Sequence, residues 1–324
     1  MARTGPARWS SLRAGPLHLG AVLLVVTLLA FLLVELLPGD AAEALLGERA
    51  TPDALAAARA ELRLDDPLPL RYLRWLGAAA SGDLGRSMRT DESVLTLLGE
   101  RLPVSIELVI LAQIVALALA VPAALLSAWR RGGWLDRATR LAGFALMSLP
   151  GYVGALLLIL VFALHLQWLP AAGFAPWSAG AGAHVRSLAL PALALACVEA
   201  PLYLRVLRND LVEVLGSDFV RAARARGVPP ARVLVVHALR PAAFTLLTLL
   251  GLSSGNLIGG AVIMENAFAL PGLGRLLADA VYARDVAVIQ GAVLVIALVY
   301  VLIHIAVELG YRRLDPRLRR MHAG

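Results

Sequence analysis

Six long apolar runs constrain this chain more than any other feature. A helix rising 1.5 Å per residue needs about 20 apolar residues to cross roughly 30 Å of hydrocarbon. Runs of that length occupy residues 17–37, 104–129, 141–166, 188–207, 242–263 and 286–309. Hydrocarbon offers the backbone no hydrogen-bond partner, so such runs predict helices. Pro150-Gly151 interrupts the third run; Pro191, Pro201 and Glu199 interrupt the fourth. Neighbouring helices are expected to satisfy the backbone groups that these prolines free. Only 16% of the residues are charged and 59% are apolar, whereas soluble domains carry about 25% charged residues. The fold class predicted is all-α, a polytopic membrane protein with six transmembrane helices.

Arg3, Arg8 and Arg13 precede the first run, as in a signal peptide. Its apolar core exceeds the usual roughly 7–15 residues, and Leu-Leu-Pro-Gly-Asp follows in place of a small-x-small site, so an uncleaved anchor is expected. Arg near helix ends is retained in the cytoplasm. Arg130, Arg131, Arg137 and Arg140 follow the second run, and Arg312, Arg313, Arg317, Arg319 and Arg320 follow the sixth. Arg208, Arg221, Arg224, Arg226, Arg232 and Arg240 lie between the fourth and fifth. The third-to-fourth connection holds only Arg186 and the fifth-to-sixth only Arg275 and Arg284, while the eight Arg of 38–103 lie in a segment long enough to escape the rule. This alternation predicts both termini in the cytoplasm. It divides the chain into a tail (1–16), a first span (17–37), an extracytoplasmic and partly helical segment (38–103), a five-helix core (104–311) with a cytoplasmic loop at 210–241, and a second tail (312–324). The net charge of +7 therefore reads as topology, not as nucleic-acid binding.

Enzyme signatures are missing from the sequence. Every one of the 30 basic residues is Arg, and a Walker A loop needs its Lys against the phosphates, so no standard P-loop ATPase site exists here. Cys197 is alone, and His18, His165, His184, His237, His304 and His322 are scattered, each expected to be interfacial or packed. No catalytic residue, cofactor or metal is therefore assigned to this chain. A self-sufficient ion-coupled carrier, the rival class, would need buried carboxylates in at least two spans and a repeat between halves. Only Glu199 approaches the first requirement, and the sequence has no internal repeat.

The connection at 210–241 is the informative one. Ser217 and Asp218 are placed to cap a short helix over 219–226, and Gly227 to end it in the left-handed conformation. Pro229 and Pro230 then start a second helix leading into the fifth span. This helix–Gly–helix elbow suits insertion into a groove on a partner; the alternative is a loop whose Arg residues only fix topology. In the fifth run Gly251, Gly255 and Gly259 recur every four residues, with Ser254 and Asn256 nearby. That spacing reads as close helix packing, or as a pathway lined by the polar pair. Glu265 precedes Pro271-Gly272-Leu273-Gly274, where it either stabilises the outer turn or contacts a docked protein. Glu107 and Gln113, six residues apart, do not share a helix face.

These residues resemble the EAA coupling motif of bacterial ABC importer permeases. More narrowly, Phe219-Val220-Arg221-Ala222-Ala223-Arg224-Ala225-Arg226-Gly227 is similar to the form found in dipeptide and oligopeptide permeases. Leu37-Pro38-Gly39-Asp40, Gly82-Asp83-Leu84-Gly85-Arg86-Ser87, Arg101-Leu102-Pro103, the stretch from Gly260 to Gly274 and Leu314-Asp315-Pro316-Arg317 extend the likeness along nearly the whole chain. Two residues depart from it: Arg221 stands where the generic motif has Glu, as in the peptide branch, and Glu199 is unexpected. That departure implies either a shifted helix, or a carboxylate facing the pore or a partner. The resemblance implies a type I ABC importer permease fold in a bacterial inner membrane. Its implied partners are a second permease subunit, two ATPase subunits that hold the ATP and Mg, an extracytoplasmic substrate-binding protein, and lipid. Ala222, Ala223 and Gly227 would pack closely against an ATPase, with Asp218, Arg221 and Arg224 making rim contacts or capping the helix. Peptides are the implied solute, with nickel or another small solute as the alternative.

Overall fold

The computed structural model describes residues 16–35, 51–61 and 65–314. The arginines of the first tail, Leu37 to Asp40, and Asp315 to Arg317 lie outside the described residues. Helices account for nearly all of the described architecture, and the extended pairing is an isolated bridge between Arg86 and Ser93. In chain order the helices are α1 (Pro16–Glu35), α2 (Pro52–Glu61), α3 (Leu68–Ala80), α4 (Val94–Trp129), α5 (Trp134–Ser148) and α6 (Gly151–Leu158, continued by a π-helical turn Ile159–His165). They continue as α7 (Ala181–Leu215), α8 (Asp218–Ala225), α9 (Leu239–Ala267, entered through Pro230–Arg232 and a π-helical Val233–Ala238), α10 (Leu273–Ala283) and α11 (Val286–Leu314).

Four helices among the described residues are long and apolar enough to cross a bilayer: Val94–Trp129, Ala181–Leu215, Pro230–Ala267 and Val286–Ala306. The third run, expected as one span, is instead two helices bent by 107°. Pro150 is the cause. Its ring disfavours helical backbone in the preceding residue, and Leu149 adopts ψ 126°. Gly151 then brings α6 against α7, since a Cβ there would lie 3.1 Å from Val198 Cγ2. Pro191 and Pro201, by contrast, sit inside an unbroken α7. The six-span expectation thus meets four single helices and one bent pair; α1 is a 20-residue helix whose standing as a span rests on its apolar run.

The described residues form two compact units. One gathers the described residues up to Leu98 with Asp279–Val301. Within it Phe31 of α1 meets Tyr72 and Trp75 of α3, with ring centroids 5.6 and 6.4 Å apart. The Gly82–Ser87 stretch is a staple: Asp83 accepts from Gly85 N at 2.9 Å, and Ser87 Oγ donates to the buried Asp285 carboxylate at 2.5 Å. Asp285 stands at the start of α11 and also accepts from Val288 N. Gly291 lets the start of α4 close on α11, because a Cβ would lie 2.6 Å from Val94 Cγ1.

The second unit holds Gly99–Ala278 with the described residues from Leu302 onward. Its core runs along α4, where Ala112, Ala116, Ala120, Ala124 and Ala128 are all buried. Alanine at four-residue spacing puts a smooth, narrow stripe on one helix face, so backbones approach closely. Ala196, Ala200, Tyr203 and Leu207 of α7 and Ala242 and Leu246 of α9 pack into the same cluster.

Candidate functional site: the α8 elbow and the turns that hold it

The elbow forms as its residues dictate, but without a side-chain cap at its start. Ser217 has the extended backbone of a capping position, yet its side chain makes no cap; Oγ turns back to donate to Val214 O at 2.5 Å. Asp218 instead pairs with Arg221 at 3.3 Å on the exposed surface. The helix ends in a Schellman motif: Val228 N donates to Ala223 O at 3.3 Å and Gly227 N to Arg224 O at 2.9 Å. Gly227 supplies the required left-handed residue with φ 78°. Pro229 and Pro230 turn the chain into the helix that leads to α9.

The two alanines of the motif face opposite ways. Val220 and Ala223, three apart, are buried within the chain, Ala223 at 3% exposure. Ala222 and Gly227 are exposed, as are Asp218, Arg221 and Arg224. Close packing against another protein, expected of Ala222, Ala223 and Gly227 together, is therefore open to Ala222 and Gly227, while Ala223 is occupied by the chain's own fold. Phe219, one turn before Ala222 on the same face, is 50% exposed. Its place was not singled out in the sequence, although an aromatic in an otherwise Arg- and Ala-rich amphipathic helix is the signal that marks it.

The glycine series of α9 does not form one seam. Gly251 is buried and Gly255 partly so, but Gly259 is exposed, with nothing within 4 Å of a Cβ built there. The close approach to α7 falls at Gly260, where a Cβ would lie 3.0 Å from Leu195 Cδ2. Ser254 donates to Leu250 O at 2.7 Å and faces Gln113 Nε2 at 3.3 Å. Gln113 Oε1 accepts from Tyr203 at 2.8 Å, and Tyr203 also bonds Ser253. Asn256 points away, exposed. Glu199 lies one turn before Tyr203 and is buried among the chain's own helices. Glu107 and Gln113 do separate: Glu107 meets the buried His184 at 2.8 Å.

Glu265 is 1% exposed and fully committed to the 268–275 turn. One carboxylate oxygen accepts from Ser105 Oγ at 2.6 Å; the other accepts from Gly274 N at 2.7 Å and Arg275 N at 3.2 Å. Ser105 Oγ in turn accepts from Leu273 N at 2.8 Å. The carboxylate thereby satisfies the free amides at the start of α10. A Cβ at Gly272 would lie 2.2 Å from the Glu265 carboxyl carbon, and one at Gly274 would lie 2.4 Å from Val262 Cα. Pro271, partly buried, leads into this cage. These bonds tie Glu265 to the outer turn.

Comparisons with known proteins agree along the chain. Residues 120–320 match the family described as binding-protein-dependent transport system inner membrane component, and residues 17–109 match its N-terminal companion. A peptide transport system permease protein of Brucella abortus is 38% identical over 298 residues, covering 92% of this chain and 95% of that protein. A dipeptide transport system permease protein of Alkalihalophilus pseudofirmus is 35% identical over 318 residues, covering 92% and 96%. The inward-facing MetNI methionine ABC transporter superposes with a TM-score of 0.55 at 20% identity, covering 68% of this chain and 96% of that chain, and so shares its fold. The chain is a multi-pass membrane protein of the binding-protein-dependent transport system inner membrane component family.

Proposed function

We propose that this chain is the permease subunit of an ATP-driven peptide importer, forming half of the translocation pathway and coupling to a separate ATPase through α8. The observation that carries the coupling role is the exposed face of α8. Phe219 and Ala222 lie one turn apart on a short helix whose opposite face is buried in the chain. An aromatic beside a small residue is a knob and a recess for a partner groove. The importer needs an ATPase on another chain, because no Lys is present to make a P-loop here. A second permease, two ATPases carrying ATP and Mg, and an external substrate-binding protein complete this assembly, and the chain itself performs no catalysis. The Arg alternation supports cytoplasmic termini and a cytoplasmic α8. Relatives at 35–38% identity are named for peptide and dipeptide transport, which favours peptides over nickel.

Deleting the gene tests the solute. The deletion strain is expected to lose growth on a dipeptide as sole source of a required amino acid, to keep nickel uptake, and to be restored by the wild-type gene. Unchanged dipeptide use, with nickel uptake lost, would contradict the peptide assignment.

A further inference from the structure

A half-open cavity of about 170 Å³ between α5 and α7 takes no part in this reading. Its lining is graded along the helix axes. At the end near the 130–133 turn stand Arg140, Arg205, Arg208 and Asn209. One to two turns deeper the walls are Gly143, Phe144, Met147, Pro201 and Leu204. The two helices run antiparallel at this seam: Arg208 bonds Asp136, while Gly143 lies against Leu204 and Pro201. The change from basic to apolar thus takes roughly 5–10 Å along either helix.

The charge at the mouth is unbalanced. Arg208 donates to both oxygens of the buried Asp136 at 2.6 and 2.9 Å. Ser127 Oγ at 2.6 Å and Gly132 N at 2.9 Å complete that carboxylate. Arg140 stands 3.8 Å from the same carboxylate. Arg205 is exposed and has no carboxylate partner among the described residues. The mouth thus carries Arg140, Arg205 and Arg208 against the single carboxylate of Asp136, which only Arg208 and Arg140 approach, leaving an excess of positive charge. Trp129 and Trp134, both exposed, flank the 130–133 turn, and indoles in a membrane protein favour headgroup depth.

We propose that this cavity binds an anionic phospholipid, its headgroup phosphate against Arg140, Arg205 and Arg208 and one acyl chain along Phe144 and Met147. Guanidinium forks match phosphate oxygens, and basic pockets between spans take anionic headgroups. A peptide carboxylate or an acidic side chain of another protein would satisfy the arginines but leave the apolar end without a partner. The orientation proposed above makes the leaflet the cytoplasmic one; the site itself does not depend on the importer reading.

Native mass spectrometry of the full chain in neutral detergent tests the site, with phosphatidylglycerol and phosphatidylcholine as probes and millimolar inorganic phosphate as competitor. Phosphatidylglycerol is expected to bind about tenfold more tightly than phosphatidylcholine, and phosphate not to displace it. Arg205→Gln, at an exposed position that leaves Asp136 paired, is expected to weaken it about fivefold without moving the melting temperature. Gly143→Leu, which fills the apolar end, is expected to weaken both lipids. Equal retention of the two lipids, or Arg205→Gln binding like wild type, would overturn the proposal. So would displacement by phosphate, which reveals a free-anion site. Loss of a co-purifying protein in Arg205→Gln with lipid binding unchanged would assign the surface to that protein and also overturn it.

Discussion

Glu265 organises more of the 268–275 turn than any other single side chain. Replacing it with Ala strands Ser105 Oγ and two backbone amides, each unsatisfied buried group costing about 1–3 kcal/mol. Glu265→Ala should therefore lower the melting temperature of the purified chain clearly more than Ser105→Ala, which strands Leu273 N but leaves Gly274 N and Arg275 N to the carboxylate. Gly272→Ala forces a methyl into the carboxylate and is expected to destabilise by about 1–3 kcal/mol, measured the same way. The adjacent alanines of α8 separate folding from coupling. A bulky residue at Ala223 has to displace the chain's own packing, so Ala223→Trp should reduce folded yield. Ala222→Trp, on the exposed face, should leave the melting temperature near wild type. The order of residues in the motif is legible in the sequence, but which alanine faces inward is not, because both flank an amphipathic helix whose buried side is set by its contact with Val233–Ala238 and α7.

At the scale of elements, apolar runs and prolines were read directly from the sequence, and the difference lies in what each proline does. Pro191 and Pro201 are carried inside a helix whose apolar window is 67% buried, where neighbours can meet the freed carbonyls. Pro150 is followed by Gly151, which adds close approach to the loss of helical backbone, and the run breaks. The alanine stripe of α4 is a four-residue period in the sequence and, unlike the glycines of α9, is buried along its whole length. Ala120→Leu is expected to cost about 1–3 kcal/mol by overpacking, whereas Leu119→Ala on the exposed face should be nearly neutral. The Arg208–Asp136 pair joins α7 to the start of α5; in the sequence Arg208 reads only as a charge of the connection after the fourth run, and nothing in the spacing marks Asp136 as its partner. Arg208→Met should destabilise by about 3–5 kcal/mol, because a buried carboxylate loses its counter-charge. Adding Asp136→Asn should recover part of that loss, and thermal unfolding of the single and double variants measures the coupling.

The molecule as a whole exposes large apolar side chains along its spans, among them Leu141, Phe144, Leu252, Ile263 and Leu302. In water such a surface would aggregate; in a bilayer it faces hydrocarbon, and in the assembly proposed here part of it meets the second permease. Gln113, Tyr203 and Ser253 follow the opposite rule, linked through Tyr203 inside the chain, as hydrocarbon requires. The surface we propose for an ATPase is the α8 elbow, where Phe219 and Ala222 are exposed on a helix held by Val220, Ala223 and the Gly227 turn. Gly227→Trp would strain a left-handed residue as well as add bulk, so Ala222→Trp isolates the contact. The decisive measurement is co-purification of the tagged chain from its native membranes, comparing wild type with Ala222→Trp. We expect wild type to bring down an ATPase and a second permease with ATP hydrolysis, and the variant to keep the permease while losing the ATPase. A chain that purifies without any ATPase and moves solute down an ion gradient would contradict the account.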